Sequence, residues 1–104
     1  ARIGRMRVIA PSTLKRFGSD PRYRDAFEPL MAWYRVAKTA DWSGPAAVKE
    51  SLRSASVLRG GRVVFNIAGN KYRLVVKINY DYRVVYVRFV GTHAQYDAID
   101  ANTI

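Results

Sequence analysis

The second half of the chain contains a long alternating segment, and this segment limits the possible folds more than any other feature. From Gly61 to Gly91 it reads GRVVFNIAGNKYRLVVKINYDYRVVYVRFVG. Apolar and polar residues alternate along it, which is the period of a β-strand with one buried face. Gly69-Asn70 and the region of Asp81 interrupt the alternation with residues typical of hairpin turns. The segment therefore predicts three consecutive antiparallel strands.

The first half of the chain has the pattern of helices. Ser12 can cap a brief helix with the sequence TLKRF. Asp20 and Pro21 can supply the cap and first residue of a longer helix that runs to about residue 40. The stretch SGPAAVKESL predicts a third short helix, with Ser43 near its cap.

The longer helix has one apolar stripe, which predicts that it packs on a core. Pro29 lies inside this stretch and should kink the helix or mark a restart, because proline lacks an N–H and clashes with the preceding turn. The stripe has the helical spacing i, i+3, i+4, i+7 and consists of Phe27, Leu30, Met31 and Tyr34.

Together these patterns predict an α+β fold in one domain. The N-terminal helices should pack on one face of an antiparallel sheet, MRVIA should form a short edge strand, and a short helix should follow the last strand. The domain is expected to span residues 6–104. Residues 1–5 precede a methionine and are interpreted as an expression remnant or an N-terminal extension.

The charge and the absence of cysteine indicate the class of partner and compartment. Eighteen Lys and Arg face eight Asp and Glu, a net charge of +10, which favours binding to a polyanion such as nucleic acid. No cysteine is present, which excludes disulfides and thiolate chemistry and suits a reducing cytoplasm. No apolar run approaches the roughly 20 residues of a membrane span. Between residues 59 and 88 one acid, Asp81, stands against seven bases: Arg59, Arg62, Lys71, Arg73, Lys77, Arg83 and Arg88.

Strand alternation assigns many of these cations to one face of the sheet. In KYRLVVKINY, one face would take Tyr72, Leu74 and the other apolar residues, which form a core. In the last strand, alternation predicts that Val85, Val87 and Phe89 lie on the apolar face. Lysine or arginine on a solvated face is ordinary, but a nearly one-signed face favours a ligand such as an RNA strand. The residues predicted on this polar face are Lys71, Arg73, Val75, Lys77, Asn79, Arg62, Asn66, Tyr86 and Arg88.

The only histidine of the chain follows the last predicted strand. Thr92-His93-Ala94-Gln95 has the form of a capping box, so His93 would be the first residue of a short helix. His93 could be an ordinary surface residue, and Tyr96 could simply pack on the sheet edge. Alternatively, both could serve an active site. Asp97 and Asp100 have no further ligands nearby, so no metal site is predicted.

A set of Arg, Lys, His and Tyr without metal ligands suits one reaction well. An RNA 2′-hydroxyl can attack its neighbouring phosphodiester when a protein supplies a base, a cation and a proton donor. The nucleophile then comes from the substrate, and no cofactor is expected.

Three stretches give the chain a family resemblance. WYRVAKTADW, GNKYRLVVKINY and VYVRFVGTHAQYDAID resemble the HigB toxin family of type II toxin–antitoxin systems, within the RelE/ParE superfamily. The likeness runs from about Met6 to Ile104. It implies a ribosome-dependent mRNA interferase that enters the ribosomal A site and is neutralised by a helix-turn-helix antitoxin, similar to HigA.

The resemblance also implies roles for single residues. Arg73 matches the sheet arginine that contacts the scissile phosphate, His93 the catalytic group past the last strand, and Tyr96 the tyrosine that orients a base. RelE has two lysines on the preceding strand where this chain has Val64 and Asn66, so His93 and Lys71 are both candidates for the general base. The residues expected to bind RNA are Arg62, Asn66, Lys77, Asn79 and Arg88.

Two other functions fit the same sequence. A ParE-like toxin would inhibit DNA gyrase on this fold without cutting RNA. A plain RNA-binding module would use the basic face without any toxicity.

Overall fold

The computed structural model describes residues 5–104, and residues 1–4 of the predicted extension lie outside that range. The chain forms one five-stranded sheet, with the N-terminal helices packed on one of its faces. In chain order, the elements are β1 (Arg7–Ile9), α1 (Pro11–Ser19), a 3₁₀ helix (Pro21–Ala26), α2 (Phe27–Thr39), α3 (Pro45–Ser51), β2 (Ser56–Val57), a 3₁₀ turn (Arg59–Gly61), β3 (Arg62–Ile67), β4 (Tyr72–Asn79), β5 (Val84–Thr92) and α4 (His93–Asp97).

The predicted α+β fold is confirmed, and the sheet is mixed rather than wholly antiparallel. Strands β3, β4 and β5 form the expected antiparallel meander. The strand order is β1-β5-β4-β3-β2, and β1 is the predicted edge strand but pairs with β5 in parallel. The opposite edge is β2, which pairs with Val63 and Val64 of β3 and was not predicted.

Two of the predicted helix starts are wrong in the same way. Ser12 does not cap α1, which begins one residue earlier at Pro11. Ser43 does not cap α3, which begins at Pro45 after Gly44. Proline fits the first helical position for two reasons. Its ring fixes φ near the helical value, and an N–H group at that position would have no partner within the helix.

The predicted cap at Asp20 is confirmed, although it starts a different type of helix. The Asp20 side chain accepts a hydrogen bond from the backbone N–H of Arg22 at 2.9 Å, at the start of the 3₁₀ helix. The chain then restarts as α2 at Phe27. Pro29 therefore lies in the first turn of α2, where helical N–H groups have no partner within the helix.

The main core lies between the helices and one face of the sheet, here called the helix-covered face. Leu30 and Met31 of α2 are buried there, and Phe27 and Tyr34 pack against the same core, as the stripe predicts. No helix within residues 5–104 has the length and apolar character needed to cross a membrane. The sheet contributes Val63, Phe65, Ile67, Tyr72, Leu74, Val76, Ile78 and Val85 to this core.

Candidate functional site

The other side of the sheet, here called the basic face, carries the predicted cations in two rows. Strand pairing places Lys77 between Arg62 of β3 and Tyr86 of β5. A second row, four residues away along β4, places Arg73 between Asn66 and Gly91. The structure therefore brings residues from all three strands of the meander onto one surface.

An apolar strip separates these two rows. Val64 and Val75 are buried between them and pack with Ala101, which comes from the end of the chain. Tyr96 and Phe89 pack against the same cluster. The residues from His93 to Ile104, here called the C-terminal segment, thus cover the middle of the basic face. The sequence predicts a continuous polar groove floor there, and this prediction is wrong.

A β-bulge in β5 explains why Phe89 lies on this face. Val75 pairs with Phe89 and Val76 pairs with Val87, so Arg88 is an extra residue with no partner on β4. The prediction that Phe89 shares a face with Val87 is wrong. Simple alternation fails after the bulge because one additional residue reverses the direction of every later side chain.

Arg73 is nearly buried on the basic face, with 9% of its surface exposed. Its Nη1 donates to the carbonyl oxygen of Asn70 at 3.0 Å, and its Nη2 donates to the Asn70 side-chain oxygen at 2.7 Å. The Tyr96 ring lies over the guanidinium at 5.8 Å, within the range of a cation–π contact. The partners of Arg73 within residues 5–104 are thus neutral groups, and its positive charge is not compensated by a carboxylate.

Tyr96 therefore has a structural contact in addition to its predicted catalytic role. Its ring packs at 6.5 Å from the Phe89 ring while covering Arg73.

The predicted capping box at the start of α4 is confirmed. Thr92 accepts a hydrogen bond from the Gln95 N–H at 3.1 Å, and the Gln95 side chain accepts one from the Thr92 N–H at 2.8 Å. His93 is the first residue of the helix, and 50% of its side chain is exposed. Its Nε2 lies 3.6 Å from an Asp97 carboxylate oxygen, and its backbone N–H donates to the Lys71 carbonyl at 3.2 Å. His93 thus lies beside the end of β4 that carries Arg73.

Strand alternation predicts that Lys71 shares the basic face with Arg73, and this prediction is wrong. The Lys71 ammonium group donates to Asp25, in the 3₁₀ helix of the helical layer. The reason is that Lys71 belongs to the hairpin turn before β4, where alternation no longer applies. The same carboxylate accepts a hydrogen bond from the Tyr72 hydroxyl group.

These contacts shift two pKa values. Hydrogen bonds from Lys71 and then Tyr72 lower the pKa of the Asp25 carboxyl. Burial, followed by the hydrogen bond to Asp25, raises the pKa of Tyr72 to about 12. The sequence contains no spacing that would have revealed Asp25 as the partner of Lys71, because the two residues are distant along the chain.

The residues expected to bind RNA are divided between several environments. Arg62 donates from Nε to the Ile104 carbonyl at 3.0 Å and so holds the C-terminal segment. Asn66 is exposed opposite Arg73, next to a separate apolar groove. Lys77, Asn79 and Arg88 line an open cavity of about 560 Å³ at the other end of the basic face.

Within residues 5–104 no three His, Asp or Glu side chains come together as a possible metal site. Chemically, this face offers an unpaired guanidinium, an exposed imidazole and a tyrosine ring at one end. Such groups can stabilise a phosphorane, transfer a proton and contact a base.

Residues 26–99 match the family model HigB_toxin, described as the RelE-like toxic component of a toxin–antitoxin system. The chain belongs to the HigB toxin family. The match covers most of the chain, including α2, the meander and α4. Membership in the HigB toxin family implies an antitoxin partner. No curated protein sequence matches the chain.

Proposed function

We propose that this toxin is a ribosome-dependent, metal-independent mRNA endoribonuclease that inhibits translation. The observation that carries the proposal is the uncompensated guanidinium of Arg73, held by Asn70 beside the strand end from which His93 projects. A fixed cation with neutral partners is suited to stabilise negative charge that develops on a phosphate.

In the proposed reaction the RNA 2′-oxygen loses its proton to a base and bonds to the adjacent phosphorus. The phosphorus–5′-oxygen bond breaks, and the departing oxygen takes a proton. The products are a 2′,3′-cyclic phosphate and a 5′-hydroxyl end, so no water is consumed in this step.

Each group has a role in this scheme. Arg73 stabilises the phosphorane, His93 transfers protons, and Tyr96 moves off Arg73 to stack on a base. Lys71 is less suited to act as the base, because its ammonium group already donates to Asp25 and would have to lose both its proton and that contact. Asp97 can orient the imidazole from its position 3.6 Å from Nε2.

The proposal includes the partners expected of such a toxin. It would enter the ribosomal A site in the cytoplasm, contact mRNA with the basic face, and be neutralised by a HigA-like helix-turn-helix antitoxin. The net charge of +10 supports capture of RNA.

The decisive experiment incubates the purified toxin with programmed ribosomes and maps the RNA ends that are produced. We expect cleavage in the translated region and 2′,3′-cyclic phosphate ends. Arg73→Ala and His93→Ala should each reduce the cleavage rate about 100-fold or more, whereas Lys15→Gln on α1 should not.

Cleavage by Arg73→Ala and His93→Ala at the rate of the unmodified protein would disprove these catalytic assignments. Intact transcripts accompanied by damaged DNA would instead indicate gyrase inhibition. Absence of growth arrest on expression would indicate an RNA-binding module.

A further inference from the structure

The cavity at the far end of the basic face has features that cleavage at Arg73 does not use. Lys77 and Arg88 line it, and within residues 5–104 neither forms an ion pair with a carboxylate. Tyr86 also lines the cavity and is 39% exposed, although it is a large aromatic residue. Two cations without an ion-pair partner and an exposed ring therefore face the same volume of about 560 Å³, together with the carboxylate of Asp81.

The β-bulge is what assembles this group. Arg88 is the extra residue of β5, inserted between the pairs Val76–Val87 and Val75–Phe89. Without it, β5 would pair regularly with β4 and Arg88 would not join Tyr86 and Lys77 at the cavity. Bulges are frequent where a strand directs a side chain into a binding site.

The side chains that line the cavity match the phosphate and the base of a nucleotide. A lysine ammonium and an arginine guanidinium are the usual protein ligands of phosphate oxygens. An exposed tyrosine ring offers a platform for a base. Asn79 uses its side-chain oxygen to accept the Tyr82 N–H at 3.1 Å, which leaves its amide N–H groups available to a base edge or a phosphate.

This cavity is separate from the proposed cleavage centre. Arg73 and Lys77 are four residues apart on β4, a distance of about 13 Å along a strand. The buried side chain of Val75 and the covering C-terminal segment lie between them. A single nucleotide at Arg73 would therefore not also occupy the cavity.

We propose that the cavity formed by Lys77, Arg88, Tyr86 and Asn79 is a second RNA subsite, which binds one nucleotide of a strand away from the bond that is cut. The inference rests on the proposed function for the nature of its ligand. It concerns binding alone, however, and it can be tested without cleavage.

The test uses fluorescence anisotropy of a fluorescein-labelled 2′-O-methyl RNA octamer, which cannot be cut because its 2′-oxygens are blocked. Affinities of the full-length chain are measured as a function of salt for the unmodified protein and for Lys77→Gln combined with Arg88→Gln. The matched control is Lys15→Gln combined with Arg35→Gln, which removes the same charge from exposed positions on α1 and α2.

The cavity variant should bind at least tenfold more weakly than the control. The slope of log affinity against log salt should become shallower by about 1.4, since two phosphate contacts on a single strand are lost. Tyr86→Leu should weaken binding roughly tenfold without changing that slope, because stacking releases no counterions.

Equal losses in the cavity variant and the charge-matched control would overturn the subsite. A loss of affinity with an unchanged salt slope would overturn it as well, since the cations would then not contact phosphates. If the octamer binds through the cavity but ribosomal mRNA stays intact, the subsite stands and the proposed nuclease function fails.

Discussion

At the scale of single residues, Asp25 holds two donors that lie next to one another at the start of β4. Lys71 and Tyr72 both donate to its carboxylate, and these hydrogen bonds lower its pKa below the ordinary value of an aspartate. The folded-state pKa lies below the unfolded one, so the carboxylate stabilises the fold above about pH 4, and this contribution is lost as the pH falls.

Asp25→Asn should therefore lower the urea midpoint at neutral pH, and the difference from the unmodified protein should shrink below about pH 4. Urea unfolding followed by circular dichroism at several pH values measures this. Glu50→Gln, at an exposed position on α3, is the control and should change the midpoint little. A difference that grows as the pH falls would contradict the role given to Asp25.

Gly91 permits the close packing between β5 and α4. An added methyl group would lie 2.6 Å from the Gln95 side-chain oxygen and 2.6 Å from the tip of the Phe89 ring. Gly91→Ala should destabilise the protein by about 1–3 kcal/mol, since a packed ring must move and the capping box is disturbed.

The control for this substitution is Gly44→Ala, where an added methyl meets no atom within 4 Å. Gly44→Ala should lower the free energy of unfolding by less, because only the preference for glycine over alanine at an N-cap is lost. Thermal unfolding of the two variants makes the comparison. Equal melting temperatures would show that β5 and α4 adjust without strain.

At the scale of secondary-structure elements, the bulge permits a deletion that a regular strand would not tolerate. Without Arg88, Val87 and Phe89 would become neighbours on opposite faces, still paired with Val76 and Val75. Deletion of Arg88 should therefore preserve the fold and shift the melting temperature by only a few degrees.

Deletion of the neighbouring Val87 is the matched control. Arg88 would then take the position opposite Val76 and direct its charge toward the helix-covered core. Burial of an unpaired charge costs several kcal/mol, and each kcal/mol lowers the melting temperature of a domain of this size by about 4–8 °C. Similar melting temperatures for the two deletions would show that Arg88 is not the extra residue.

Local sequence patterns predicted the meander, the capping box and the apolar stripe of α2, because each depends on residues close together in the chain. The parallel pairing of β1 with β5 depends on residues distant in sequence, and the two residues of β2 are too few to form a pattern. The bulge was not predicted either, since the alternation of apolar and polar residues along β5 does not show where an extra residue interrupts its pairing with β4.

For the candidate site, the sequence likewise predicted the residues on regular strands but not those in turns or their partners. Arg73 and Lys77 lie on the expected face because β4 is regular between them. Lys71 does not, since it lies in a turn, and the partners Asn70 and Asp25 are found only in three dimensions. The apolar residues Ala101 and Ile104 could have indicated that the C-terminal segment covers the sheet.

At the scale of the whole molecule, positive charge is in large excess, with a net charge of +10. The ion pairs within residues 5–104 involve Asp20, Asp25 and Asp41, and none includes Arg73, Lys77 or Arg88. Cations of the helical layer such as Lys15, Arg35 and Lys38 form no ion pair either, so the excess positive charge is spread over both layers. Association with any polyanion should therefore weaken as salt is added.

Arg73 lies on a central strand, whereas His93 is the first residue of a short helix near the end of the chain. β4 is the middle strand of five and has paired neighbours along both edges, whereas α4 has five residues, begins with a capping box and packs on the sheet through Tyr96. Amide hydrogens of β4 should therefore exchange with deuterium only when the whole domain unfolds, and those of α4 when the helix opens alone.

Hydrogen-exchange mass spectrometry should find the amides of residues 73–77 among the slowest and those of residues 94–98 much faster. Thr92→Ala should speed exchange in α4 and leave β4 unchanged, and equal protection of both segments would contradict this. On that result, the cation of the candidate site would be held on a strand that opens only with the whole domain, while the imidazole and the tyrosine would be carried by a segment that opens and closes many times during the lifetime of the folded state.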